Sequence, residues 1–234
     1  MTNIRRIRCK TVKKRLNEML KGIKSATKQQ IIVCFIGVFG MGFFLSFLLM
    51  LTLGTDPCSF MNDAISRRIG WSFGNWQLLL NTTLLILVIA FRPGLIGFGT
   101  FFNMVLIGYY ADFFCWVWGN VLPAQWFTEA PARYILFAVT LACFIVSAAV
   151  YMNCGIGLSP YDAIAKMLSE KLKMIPFFIV RIAYDGAAVL IGMAVGGKPG
   201  IGHVLMALLL GPVITIVGKK MSRLFSGGKK PVSA

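Results

Sequence analysis

Residues 31–53 read IIVCFIGVFGMGFFLSFLLMLTL, 23 positions without one charged side chain. A helix rises 1.5 Å per residue, so about 20 apolar residues cross the hydrocarbon core of a bilayer. A water-soluble core of this size has no use for such a run, and the solvent that explains it is lipid. The run is also far longer than the apolar part of a signal peptide, and no small-residue cleavage site follows it. It is expected to remain in the protein as the first membrane span.

Working outward, further runs of the same kind occupy about residues 75–91, 99–118, 133–153, 176–195 and 201–218. Turn-forming residues separate them: Arg92-Pro93-Gly94, the stretch from Pro123 to Pro131, and Gly196-Gly197-Lys198-Pro199-Gly200. Trp71, Trp76, Trp116, Trp118 and Trp126 fall near the expected span ends, as an interfacial aromatic belt requires. With 57% hydrophobic and 14% charged residues in 234, the chain is an all-α, polytopic transmembrane helical bundle of about six spans.

The formal net charge of +16 is concentrated at the two ends. Residues 1–30 hold ten Lys or Arg against Glu18, and residues 219–230 hold five with no acid. The positive-inside rule then expects both termini in the cytoplasm, which demands an even number of spans. Anionic lipid headgroups are the natural partner of such tails, and nucleic acid is not expected. Ile4, Ile7, Leu16, Met19, Leu20 and Ile23 recur among the basic residues at near-helical spacing, so an interfacial amphipathic helix is expected there. The cysteines form no CxxC pair and His203 is the single histidine, so neither a metal, a disulfide framework nor a cofactor is expected.

Two segments are too short to cross a bilayer yet start like helices. Asp56 and Ser159 are good N-caps, and Pro57 and Pro160 follow where a first-turn proline loses no hydrogen bond. Sliding the chain by 103 positions sets Gly54, Pro57, Gly97, Gly99 and Gly108 on Gly157, Pro160, Gly200, Gly202 and Gly211. The expected plan is a basic tail (1–30), a first repeat (31–120), a second repeat (132–218) and a basic tail (219–234). Each repeat would be a span, a short interfacial or re-entrant helix, and two more spans. Three spans are an odd number, so the second copy is expected upside down, a common plan of transporters.

The blocks LGTDP (53–57), RPGLIGFGTFFNMVLIGYYAD (92–112), IGLSPYDA (156–163) and KPGIGHVLMALLLGP (198–212) carry a resemblance. The chain resembles the YczE/YitT-like family of bacterial integral membrane proteins over about residues 31–218. The resemblance implies a multi-pass protein of the plasma (inner) membrane for which a transport role is often supposed. His203 departs from the pattern, since its counterpart in the first half is Thr100.

Ionisable groups within spans are costly and mark candidate sites. Arg181 and Asp185, four residues apart, share a helix face, either as a packing ion pair or as a substrate or proton site. Asp112 has no basic residue one turn away, so it needs a partner from another helix or a proton, unless its span ends near Tyr110 and leaves it wet. The helix starts at Asp56 and Ser159 aim N–H groups outward; Asp56 discourages an anion, whereas Ser159 leaves its end open to one. Asn62, Asp63 and Asp162 on the short helices, with Asn81 and Asn103 in spans, are polar enough to line a path or to bond between helices. His203 is expected to be a satisfied polar residue.

These features make a transporter of a small solute or ion the leading expectation. The alternative is a membrane-embedded structural or regulatory protein that binds anionic lipid or a protein through its basic tails. No HExxH or GxSxG set is present, so an enzyme is not expected. A homodimer is plausible from the small number of spans.

Overall fold

The computed structural model of the chain describes residues 26–224. The amphipathic helix expected between residues 4 and 24 and the end of the basic C-terminal tail lie outside the described residues. The described chain forms α1 (Lys28–Leu51), α2 (Pro57–Ile69), α3 (Phe73–Phe91), a 3-10 turn (Pro93–Leu95) and α4 (Phe98–Val121). It continues with α5 (Gln125–Thr128), α6 (Ala132–Asn153), α7 (Pro160–Lys171), α8 (Phe177–Ala194) and α9 (Ile201–Leu224). An all-helical chain is what lipid demands, because each helix satisfies its own backbone where no water can.

Five helices, α1, α3, α4, α6 and α9, are long and apolar enough to cross a membrane. The other expected span, α8, has 18 residues, carries Arg181 and Asp185, and is not among the five. α9 continues through Lys219 and Lys220, so residues first assigned to the basic tail extend a helix. Large apolar side chains such as Ile86, Phe91, Leu190 and Leu208 stand exposed on the outer faces, where acyl chains would cover them.

The core is the crossing of α1 with α6. It is close because small residues line it: a Cβ on Gly37 would meet the Tyr151 amide at 2.9 Å, and one on Gly40 the Ser147 hydroxyl at 2.5 Å. On the far side of α1, Trp118 of α4 stacks on Phe47 at 4.7 Å, and its indole N–H donates to Ser46 Oγ at 2.9 Å. Burial of that aromatic surface is thus obtained without an orphaned donor.

The packing follows a pattern of exchange. α1 lies along α4 and α6 along α9; α2 lies on α8 and α7 on α3. The connecting strands cross in the same way. Gly99 N–H donates to the Ile156 carbonyl at 2.8 Å, and Gly202 N–H donates to the Leu53 carbonyl at 2.9 Å. A Cβ on Gly97 would strike the first of these carbonyls, and one on Gly200 the second. Gly54 and Gly157, with φ of 121° and 116°, turn the chain inward at equivalent points. One pairing departs from the pattern: α3 packs along α4, whereas among the described residues α8 makes no comparable contact with α9.

Candidate functional site

The inward turns at Gly54 and Gly157 make α2 and α7 begin inside the bundle. Asp56 Oδ2 accepts from Ser59 N–H at 3.0 Å, and Ser159 Oγ accepts from Asp162 N–H at 3.0 Å. Pro57 and Pro160 fill the first turns, as their sequence positions predict. Both helix starts border one cavity of about 70 Å³ among α1, α3, α4, α6, α8 and α9.

Arg181 of α8 binds two carboxylates beside this cavity. Its Nη1 donates to Asp162 Oδ1 at 2.6 Å and its Nε to Asp185 Oδ2 at 2.8 Å. Tyr161 O–H donates to the other Asp185 oxygen at 2.9 Å, with the Arg181 guanidinium 5.6 Å from the centre of the Tyr161 ring. Asp162 Oδ2 also accepts a hydrogen bond from the Ser159 hydroxyl at 2.6 Å. The start of α7 is therefore covered by the Asp162 carboxylate, which corrects the expectation that Ser159 leaves its end open to an anion. The i,i+4 spacing of Arg181 and Asp185 did forecast their pairing; the third member, Asp162, comes from a neighbouring helix.

The rest of the lining is different. Gln77 and Asn81 on α3, Asn103 on α4 and Tyr151 on α6 are between 1% and 6% exposed, and all line the cavity. Gln77 Oε1, Asn81 Oδ1, Tyr151 O–H and Asp56 Oδ1 are buried and have no hydrogen-bond partner. Buried polar atoms are almost always paired, and an unpaired one costs about 1–3 kcal/mol. A group of them around a shared space is what a ligand site requires. Gln77, Tyr151 and Tyr161 escaped sequence reasoning. Gln77 could have been found from its i,i+4 relation to Asn81 on a largely apolar helix; the tyrosines carry no local signal.

The remaining candidates lie elsewhere. Asp112 Oδ2 accepts from Gly74 N–H at 2.7 Å, so its partner is the first turn of α3, away from the cavity. Asp63 pairs with Arg67 at 2.8 Å, and Asn62 Nδ2 points to the Cys58 sulfur at 3.5 Å. His203 Nδ1 accepts from Gly200 N–H at 3.0 Å, just as Thr100 Oγ1 accepts from Gly97 N–H at 3.1 Å. The departure at His203 thus keeps the capping role of its counterpart. An open basin of about 600 Å³ lies beyond, bordered by His203, Arg67, Arg68 and Lys198. At the end of α3 remote from that basin, Arg92 pairs with Glu170 of α7.

Residues 28–219 match the model of a family of unknown function, DUF6198. The chain belongs to that family. The match takes in every residue named around the cavity. The chain is similar to the uncharacterized membrane protein YczE of Bacillus subtilis (strain 168), 25% identical over 69% of this chain and 72% of that one. It is similar also to an uncharacterized protein of Haemophilus influenzae (23% identical; 74% of this chain, 75% of the relative) and to the uncharacterized protein YyaS of Bacillus subtilis (24%; 77% and 88%). No solved structure matches it. This chain is a polytopic helical membrane protein.

Proposed function

We propose that this DUF6198 protein is a transporter of a small solute or ion whose substrate site is the cavity between α2, α7 and the α1–α6 pair. The observation that carries the reading is the set of buried polar groups Gln77, Asn81, Asn103 and Tyr151, three of them with unpaired atoms, in one cavity with the starts of two inward-turning helices. Nothing in packing alone rewards such a set, and a passing solute does.

The exchange pattern of contacts supports reading the two halves as inverted repeats, with α8 as a sixth crossing. Ends rich in Lys and Arg then orient both termini to the cytoplasm of a bacterial inner membrane, with anionic headgroups beside them. Alternating access would come from one half rocking against the other about the cavity.

The test is made in proteoliposomes. Solutes are first screened for thermal stabilisation of the purified protein, and uptake of those that bind is then measured. Asn81→Leu and Gln77→Leu replace the amides by apolar groups without adding heavy atoms and should abolish uptake while the protein remains folded. Uptake at the native rate in both variants would rule the cavity out as the transport site.

A further inference from the structure

The charges around the cavity are unbalanced. One guanidinium, Arg181, stands among three carboxylates, Asp56, Asp162 and Asp185, and it is already committed to the last two. Among the described residues, no other Lys or Arg lines the cavity. The formal surplus is two negative charges. The helix starts at Asp56 and Ser159 offset part of it, since each contributes about half a positive charge, so roughly one negative charge is left over. That remainder sits on the Asp56 side, where Oδ1 has no partner.

A carboxylate in such surroundings is costly unless a proton or another cation accompanies it. The uncharged groups beside it fit that need. Gln77 Oε1, Asn81 Oδ1 and the Tyr151 hydroxyl oxygen are acceptors, each on a side chain more than nine-tenths buried, and all are unpaired. Size narrows the choice. A cavity of about 70 Å³ takes a small ion with a few waters more readily than a bulky solute. Among the described residues no three His, Cys, Asp or Glu are grouped to hold a metal ion, so a divalent cage is not offered.

We infer that the cavity binds a compact monovalent cation, an alkali-metal ion or a small ammonium ion, between the Asp56 carboxylate and the oxygens of Gln77, Asn81 and Tyr151. This inference rests on the reading of the cavity as a ligand site and adds the charge of the ligand to it.

The experiment follows thermal unfolding of the full-length protein in detergent. Sodium, potassium, ammonium and methylammonium chlorides are titrated at constant ionic strength against N-methyl-D-glucamine chloride, whose cation is much bulkier. A second series varies the anion with the large cation held fixed. The expected result is saturable stabilisation by one of the small cations, with competition among them separating an alkali-metal site from an ammonium site. Asp56→Asn should weaken that response at least tenfold while the unfolding midpoint without small cations is native or higher, because Asn caps a helix as well as Asp does and removes an uncompensated charge. An undiminished cation response in the Asn variant overturns the inference. Stabilisation by anions alone, lost in Asn81→Leu, overturns the cationic ligand but keeps the cavity as a ligand site. No response to any ion, with Asn81→Leu as stable as the native protein or more so, overturns the inference and the ligand reading together.

Discussion

Asp56 and Ser159 occupy equivalent places, yet only Ser159 is tied into an ion network. The difference originates on α8: Arg181 draws Asp162 across the start of α7, and nothing equivalent reaches Asp56. Removing one partner from a buried ion cluster costs about 3–5 kcal/mol, because uncompensated charge is left behind. Arg181→Met should therefore destabilise strongly in thermal unfolding, and adding Asp162→Asn with Asp185→Asn should recover much of the loss. A single variant as stable as the native protein would show that the three groups are not coupled. At the second equivalent pair, Thr100 and His203 use different atoms to hold the same kind of amide. His203→Thr should be nearly neutral, whereas His203→Leu, which cannot accept that amide, should cost about 1 kcal/mol in the same measurement. Of the polar candidates legible in sequence, Asp112 shows the limit: its isolation on α4 was readable, but its acceptance of the Gly74 amide depended on a helix crossing no spacing encodes.

The short helices α2 and α7 were legible as elements because caps and first-turn prolines announce them locally. Their descent into the bundle was not, since it depends on glycines meeting carbonyls of the opposite half. Gly97 and Gly200 are the tightest of these contacts, each with a carbonyl oxygen where a side chain would begin. Gly97→Ala and Gly200→Ala should each sharply lower the yield of monodisperse protein in size-exclusion chromatography, and to a similar degree, if the two crossings are equivalent. Gly119, inside α4, has nothing within 4 Å of an added Cβ. There Gly119→Ala should be neutral or stabilise by up to about 1 kcal/mol, through helix propensity alone. Equal tolerance at all three positions would contradict the packing described for the crossings.

Across the whole molecule, Arg68 and Lys198 border the same basin, while Glu170 meets Arg92 at the other end of α3. The 19 residues of α3 separate these ends by about 28 Å at 1.5 Å per residue. In a cysteine-free background, Arg68→Cys and Lys198→Cys should therefore react with a membrane-impermeant thiol reagent added to intact cells, and Lys171→Cys should react only after the membrane is opened. Labelling of positions 68 and 171 from one side would overturn the inverted arrangement of the halves. The sequence by itself determined that the chain is helical and lies in a membrane, along with the bounds of most helices, since long apolar runs have one solution in lipid and turn residues act locally. It also showed a regular spacing of glycines, some of which lie at close crossings in the structure. Only the tertiary structure decided which polar groups share a cavity. Spacing shows which residues occupy one face of a helix, as with Gln77 and Asn81, but not which helix that face will meet. Tyr151 of the other half joins them because the α1–α6 crossing brings it there, and that meeting is a property of packing in three dimensions.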